Sequence, residues 1–325
     1  MLAVPIPTLL HGPRGSLFMN PLRDSIKGCV TVPLSGNMPA VAPARTAAGG
    51  ANGLSPPILI QAPTSAWLEV FSLFVVNGAA VDADVIARQC VLISTYSNGV
   101  RRFMRRPINV THVFGTRLNP FFLDDPYSEP FLLAPNETAQ FDFVNPSTVG
   151  DTSIRFGMEC RKIQTKALED DPKINAAVKA LYSRRRHVYP IWMPLTSDAQ
   201  NSTVSLGVPG VRLAASGSFD TTFVHDNSDG PVMITRVLAT GLTTGVAGDT
   251  TELFNCTLYD GRTNRVLMNQ PVVMNCLGGP ATFAYTLPTP LVVDRQEIVR
   301  ATFTNLVTDQ ATDAFVTLQG LVVED

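Results

Sequence analysis

Short runs enriched in β-branched and aromatic residues alternate with turn residues along this chain, and the clearest of them alternate apolar and polar positions with a period of two. In IRFGMEC, Ile154, Phe156, Met158 and Cys160 share one face, and FDF at 141–143 alternates likewise. The pattern predicts strands at Cys90–Thr95, around Ile108–Val113, and at Phe131–Leu133, Ala139–Val144 and Ser153–Cys160. Turn signals fall at Ser97-Asn98-Gly99, Pro135-Asn136 and Pro146-Ser147. The second half gives Phe219–His225, Val232–Ala239, Glu252–Tyr259, Val266–Met268, Val272–Cys276, Phe283–Leu287, Leu291–Val293, Val299–Asn305 and Ala314–Val323. Short strands at this regular spacing predict an antiparallel sandwich or jelly roll.

Two stretches break the pattern. Residues 1–64 are rich in Pro, Gly and Ala and read as an extended arm laid across a neighbouring surface. After Asp171-Pro172, an N-cap with proline at the first helical position, PKINAAVKALYSRRR predicts one short helix over about 172–186. The segment HVYPIWMPL behind it reads as extended.

The second half repeats the first. PFLLAPNETAQFDFVN, from Pro130, lies over PLVVDRQEIVRATFTN, from Pro290, at an offset of 160. Glu137/Glu297, Phe143/Phe303, Asn145/Asn305 and Thr152/Thr312 coincide, and Phe156/Val316 and Met158/Leu318 keep their character. Upstream, FMRRP ending at Pro107 matches LMNQP ending at Pro271, and Gly115 matches Gly279, at an offset of 164. A period this long is a whole domain used twice. The expected organisation is an arm at 1–64, a first β-sandwich at 65–165, a helical linker at 166–215 and a second β-sandwich at 216–325.

Composition narrows the function. Charged residues are 16%, against about 25% in an ordinary soluble chain, which suits either a surface covered by partner subunits or a large, dry β core with polar but uncharged loops. A formal net charge of −2 speaks against a dedicated, sequence-specific nucleic-acid binder. The 5 cysteines include no CxxC pair, so buried free thiols are expected. The longest apolar run, AWLEVFSLFVV, contains Glu69 and is too short to span a bilayer. The N-terminus lacks a signal-peptide pattern, and a protein made in the cytoplasm is expected.

Catalytic motifs are missing: no GxSxG elbow, Walker loop or strand-borne GxGxxG occurs. His11, His112, His187 and His225 are dispersed, without HxH or HExxH. Asp124-Asp125 with Glu129 lacks the glycine-bearing loop of a calcium site. Glu137 and Glu297 occupy equivalent turns, where a hydrogen bond to backbone N–H is the expected role rather than a shared catalytic carboxylate. Asn145 and Asn305 end the same strand and suit left-handed geometry. No catalytic residue, cofactor or metal is assigned. Arg101, Arg102, Arg105 and Arg106, with Arg184, Arg185 and Arg186 at the helix end, form a possible interaction surface for acidic partners. Copy two replaces Arg105-Arg106 by Asn269-Gln270, so the fold does not require those arginines.

The block P-x-V-V…E…F-x-N, a short loop, then FVTLQGLVV is similar to one that recurs in jelly-roll virion proteins of bacteriophages. It covers 130–165 and 290–325, with weaker support through 90–115 and 254–279. The resemblance implies a non-enzymatic structural role in a phage particle. The expectation is a head component, either a capsid subunit or a decoration, vertex or collar protein. Its partners would be itself, as a homo-oligomer with a trimer favoured, and other virion proteins. Two alternatives remain: a tail, baseplate or fibre component with a receptor- or glycan-binding sandwich, and a jelly-roll carbohydrate-binding protein or enzyme. On this reading residues 1–60 serve assembly rather than folding.

Overall fold

Ile298–Asn305 shows how the pattern becomes structure. Val299, Ala301, Phe303 and Asn305 are buried, and the residues between them are half-buried, as a strand with one covered face requires. A computed structural model describes residues 29–41, 58–76, 90–96, 100–104, 108–116, 121–122, 131–144, 152–195, 210–224, 230–243, 253–260, 263–268, 270–278, 284–294 and 297–323.

The first module contains β1 (Cys29–Val41), β2 (Ile58–Gln61), β3 (Ala66–Val76), β4 (Cys90–Tyr96), β5 (Val100–Arg102), β6 (Ile108–Asn109), β7 (Gly115–Thr116), β8 (Phe121–Phe122), β9 (Phe131–Leu133), β10 (Thr138–Val144) and β11 (Thr152–Gln164). Helices α1 (Thr165–Asp170) and α2 (Pro172–His187) follow. The second module contains β12 (Val188–Leu195), β13 (Val211–Leu213), β14 (Ser218–Val224), β15 (Val232–Thr243), β16 (Phe254–Asp260), β17 (Arg265–Val266), β18 (Val272–Val273), a one-turn α3 (Met274–Leu277), β19 (Tyr285–Val293), β20 (Ile298–Asn305) and β21 (Thr312–Val323).

Each module is a jelly roll. In the first, one sheet runs β1-β11-β3 with β9 beside β3, and the other runs β2-β10-β4 with β6 beside β4. The second repeats this as β12-β21-β15-β19 and β14-β20-β16 with β18 beside β16. This interleaving of early and late strands in two facing sheets is the double Greek key. Among the described pairs all are antiparallel except β3–β7 and the isolated bridge of Met104 with Trp192. Phe156 of β11 packs on Phe141 and Phe143 of β10, with ring centroids 5.0 and 5.3 Å apart, and so joins the two sheets of the first module.

The repeat holds in the hydrogen-bond register. β3 faces β11 to Val70–Cys160 and resumes at Ser72–Glu159, leaving Phe71 as a bulge. β15 faces β21 to Ile234–Gly320 and resumes at Arg236–Gln319, leaving Thr235 as the extra residue. Phe71 and Thr235 are separated by the offset of FMRRP and LMNQP, and Cys160 and Gly320 by that of the C-terminal block. A bulge re-aims a strand, so its retention means that both copies curve at one point.

The stretches read as arm and linker supply strands. β1 pairs with β11 from Cys29–Ile163, and β12 pairs with β21 from Val188–Val323. β2 and β13 are further strands upstream of the sandwich starts placed at 65 and 216. These segments hide from sequence reading because Pro33, Pro39, Pro190 and Pro194 interrupt them. At a sheet edge the missing donor points away from the ladder, so proline is tolerated there.

In place of the single expected helix there are two. Asp171 caps α2 as anticipated: its Oδ1 accepts from Lys173 N–H at 3.0 Å and its carbonyl from Asn175 N–H at 3.0 Å. α1 has no side-chain cap. It is held by packing, with Leu168 buried and the helix touching β11 and α2. On the outer face of the β11–β3 sheet, Arg161 Nη1 lies 3.1 Å from Glu69 Oε2, both buried, and the guanidinium sits 4.3 Å over the Phe71 ring.

Candidate functional site

The two jelly rolls meet along a seam built by the chain that leaves β5. Phe103 and Met104 run beside β12: Trp192 N–H donates to the Phe103 carbonyl at 3.0 Å, and Met104 bridges Trp192 in parallel. The Phe103 ring meets Tyr189 edge-on, with centroids 6.1 Å apart. All four side chains are buried. Burying an aromatic of this size stabilises by about 1.5–3 kcal/mol, so the seam is a substantial contact.

His112 completes it. Asn109 Oδ1 accepts from the Thr111 N–H at 2.9 Å and from its hydroxyl at 2.6 Å, closing a one-turn 3-10 helix, Val110–His112. That turn places the imidazole on the outer face of the β21–β15 sheet. Nδ1 lies 2.8 Å from Thr317 Oγ1 and Nε2 3.0 Å from Thr240 Oγ1. A hydroxyl donates or accepts as required, so a neutral ring is satisfied at both nitrogens whichever tautomer it takes. Complete burial pushes the His112 pKa down to about 3, so the ring is neutral at physiological pH.

Arg101 and Arg102 end the edge strand β5, and Arg184, Arg185 and Arg186 lie in the last turn of α2. Arg105 and Arg106 lie outside the described residues, as do Asp124, Asp125 and Glu129. Glu137 and Glu297 do what the turn reading expects: the Ala134 N–H donates to Glu137 Oε2 and the Asp294 N–H to Glu297 Oε2, each at 2.8 Å. Asn305 departs from its expectation. Asn136, Ser216 and Asn264 are the described non-glycine residues with positive φ, and Asn305 is not among them. It is instead a buried node. Its Nδ2 donates to the Ala214 and Gln310 carbonyls, and its Oδ1 accepts from the Val307 N–H and the Thr312 hydroxyl.

Cys160 and Cys256 are buried thiols that burial pushes up to about 12, whereas Cys276 is exposed. Among the described residues no group of three or more His, Cys, Asp or Glu side chains is placed to hold a metal ion, and no helix is long and apolar enough to cross a membrane. Sequence reasoning missed the seam. The available signal was a mismatch between copies: the position of His112 is held in copy two by Cys276, at the FMRRP/LMNQP offset.

No protein-family model matches the chain, and no curated protein does. Among solved structures it is similar to "Structure of PNGF-II in P21 space group", with 10% identity, 95% of this chain and 68% of that chain covered, and a TM-score of 0.32. It is similar to the ANX2 ectodomain from Arabidopsis thaliana, at 11% identity, 90% and 89% coverage and a TM-score of 0.24. A third match is "The Triple Jelly Roll Fold and Turret Assembly in an Archaeal Virus", at 12% identity, 89% and 59% coverage and a TM-score of 0.22. Scores this low carry no argument about function. The fold assignment rests on the strand order of the chain itself: two jelly rolls in tandem, joined by a buried seam.

Proposed function

We propose that the chain is a non-enzymatic structural protein of a bacteriophage particle, made in the host cytoplasm and built into the head. It acts there as a jelly-roll capsid subunit or as a decoration, vertex or collar protein. The observation that supports this is the seam. Two copies of one module, locked by Trp192 and His112, form a block that offers similar faces twice, which suits packing among copies and other particle proteins. The test is to purify particles of the phage that encodes the chain and quantify it by mass spectrometry. The reading expects a fixed, symmetric copy number in heads freed of tails. Loss of the protein together with the tails, or its absence from particles, contradicts it.

A second reading has its own observation. The outward face of the β14–β20–β16 sheet is a polar grid. The Asp220 carboxylate accepts from Arg300 Nη2 and from the Thr302 hydroxyl, each at 2.5 Å. Those two hydrogen bonds hold its pKa below the usual carboxylate range. Arg300 lies 5.7 Å from the Tyr259 ring, and Ser218 and Thr304 hydroxyls pair at 3.3 Å. A flat array of hydroxyls, a neutralised ion pair and a tyrosine suits saccharide hydroxyl groups, and so a glycan-binding sandwich. Glycan-array binding that Asp220→Ala abolishes supports that reading; no binding at millimolar glycan removes it.

A further inference from the structure

The seam buries polar atoms that no protein group satisfies. Trp192 is 1% exposed, and its indole Nε1–H has no hydrogen-bond partner among the described residues. Gln319 is 1% exposed as well, and neither of its amide atoms, Nε2 or Oε1, has one. A buried donor or acceptor without a partner has lost its hydration and gained nothing in return. Native folds therefore pair such groups with protein or with ordered water.

These atoms belong to one row. Trp192 of β12 stands directly opposite Gln319 of β21, and Gln319 directly opposite Arg236 of β15. Directly opposed residues on neighbouring strands point to the same side of a sheet, with Cβ atoms about 5 Å apart. Residues two apart on a strand share a side too, so Gln319 faces as Thr317 does, toward His112 and the first module. Met104, fully buried and bridged to Trp192, ends the row against the first module rather than in solvent. The row is a property of the seam and not of the jelly roll as such. At the same register in the first module stand Pro33, Glu159 and Ser72, so the indole and the amide are both missing there.

We infer that the seam holds a buried solvent site on this row. One water accepts from the Trp192 Nε1–H and donates to Gln319 Oε1, and a second accepts from the Gln319 Nε2–H. Direct pairing of the indole with the Gln319 oxygen would satisfy those two atoms and strand the amide N–H, whereas water meets all three. Trp192 and Gln319 together offer donors and an acceptor and carry no charge. That set suits a molecule that both donates and accepts, and the neighbouring Arg236 guanidinium, 4% exposed, repels a metal cation. Inside a low-dielectric seam such bridges are strong, so the waters are held for long times. The site goes beyond the structural role proposed above and does not depend on it.

The test is a high-resolution crystal structure of the full-length chain, joined to water relaxation dispersion in solution, which counts internal waters of long residence. The variants are Trp192→Phe and Gln319→Met, each of which removes the polar atoms at nearly constant volume, and circular dichroism reports whether each is folded. The inference expects water density within hydrogen-bonding distance of Trp192 Nε1 and of both Gln319 amide atoms. It also expects each folded variant to lose at least one long-lived water. An indole N–H bonded directly to Gln319 or to another protein group, with no such density, overturns it. Density that refines as chloride overturns the assignment of water, and an unchanged count of long-lived waters in both folded variants overturns the site. The wild-type crystal structure decides the matter even where a variant fails to fold.

Discussion

At the scale of single residues, His112 carries the sharpest consequence. Its pKa in the fold, about 3, lies well below the ordinary histidine value of 6.5. Its contribution to stability is therefore fully present above pH 6.5 and is lost as pH falls toward 3. The slope is about 1.4 kcal/mol per pH unit, because the unfolded chain takes up a proton that the seam refuses. In urea unfolding, wild type should lose about 2 kcal/mol more than His112→Gln between pH 6.5 and 5. Identical pH profiles would show that the ring is not held neutral in the seam. A lone histidine beyond a short strand says nothing of this in sequence, because burial comes from the other module. The carboxylates were legible, since Glu137 and Glu297 recur at one spacing. Glu137→Ala should lower stability by about 1.5–3 kcal/mol, as a buried charged acceptor is lost, and Glu297→Ala by about 1. Calorimetry reads both, and a variant that keeps its melting temperature contradicts the turn role.

At the scale of elements, legibility followed burial on one face. β10, β11, β20 and β21 stand out because Phe141, Phe143, Phe156, Phe303 and Val316 alternate with outward residues. β1 and β12 do not, because prolines placed at edges look like breakers. Residues 1–60 accordingly matter for folding. Their deletion removes β1 and most of β2, and the truncated chain should show a destabilised first module in hydrogen exchange beside a protected second one. Equal protection in both would return those residues to the role of an arm. The outer face of the β11–β3 sheet offers a cleaner comparison. Where the first module pairs Glu69 with Arg161, the second carries Met233 and Leu321 in the same register. Arg161→Leu alone should destabilise by about 3–5 kcal/mol by stripping a buried carboxylate of this cation. Adding Glu69→Met should recover most of it, because the second module shows that the fold tolerates the apolar pair. A double variant as unstable as the single one would mean that this face of the first module requires the ion pair.

At the scale of the whole molecule, the duplication was readable because two constant offsets survive low identity, and the strand registers carry those same offsets. The seam was not readable, since it depends on how the two copies are set against each other, which no pattern within one copy encodes. The central claim is that twin jelly rolls are one rigid unit made to be packed among copies of itself. Electron microscopy of the purified, assembled full-length chain, with its native mass measured in parallel, tests that claim directly. The account predicts closed particles of similar lobes, with twice as many lobes as chains; a protein that keeps the mass of one chain at every concentration contradicts it.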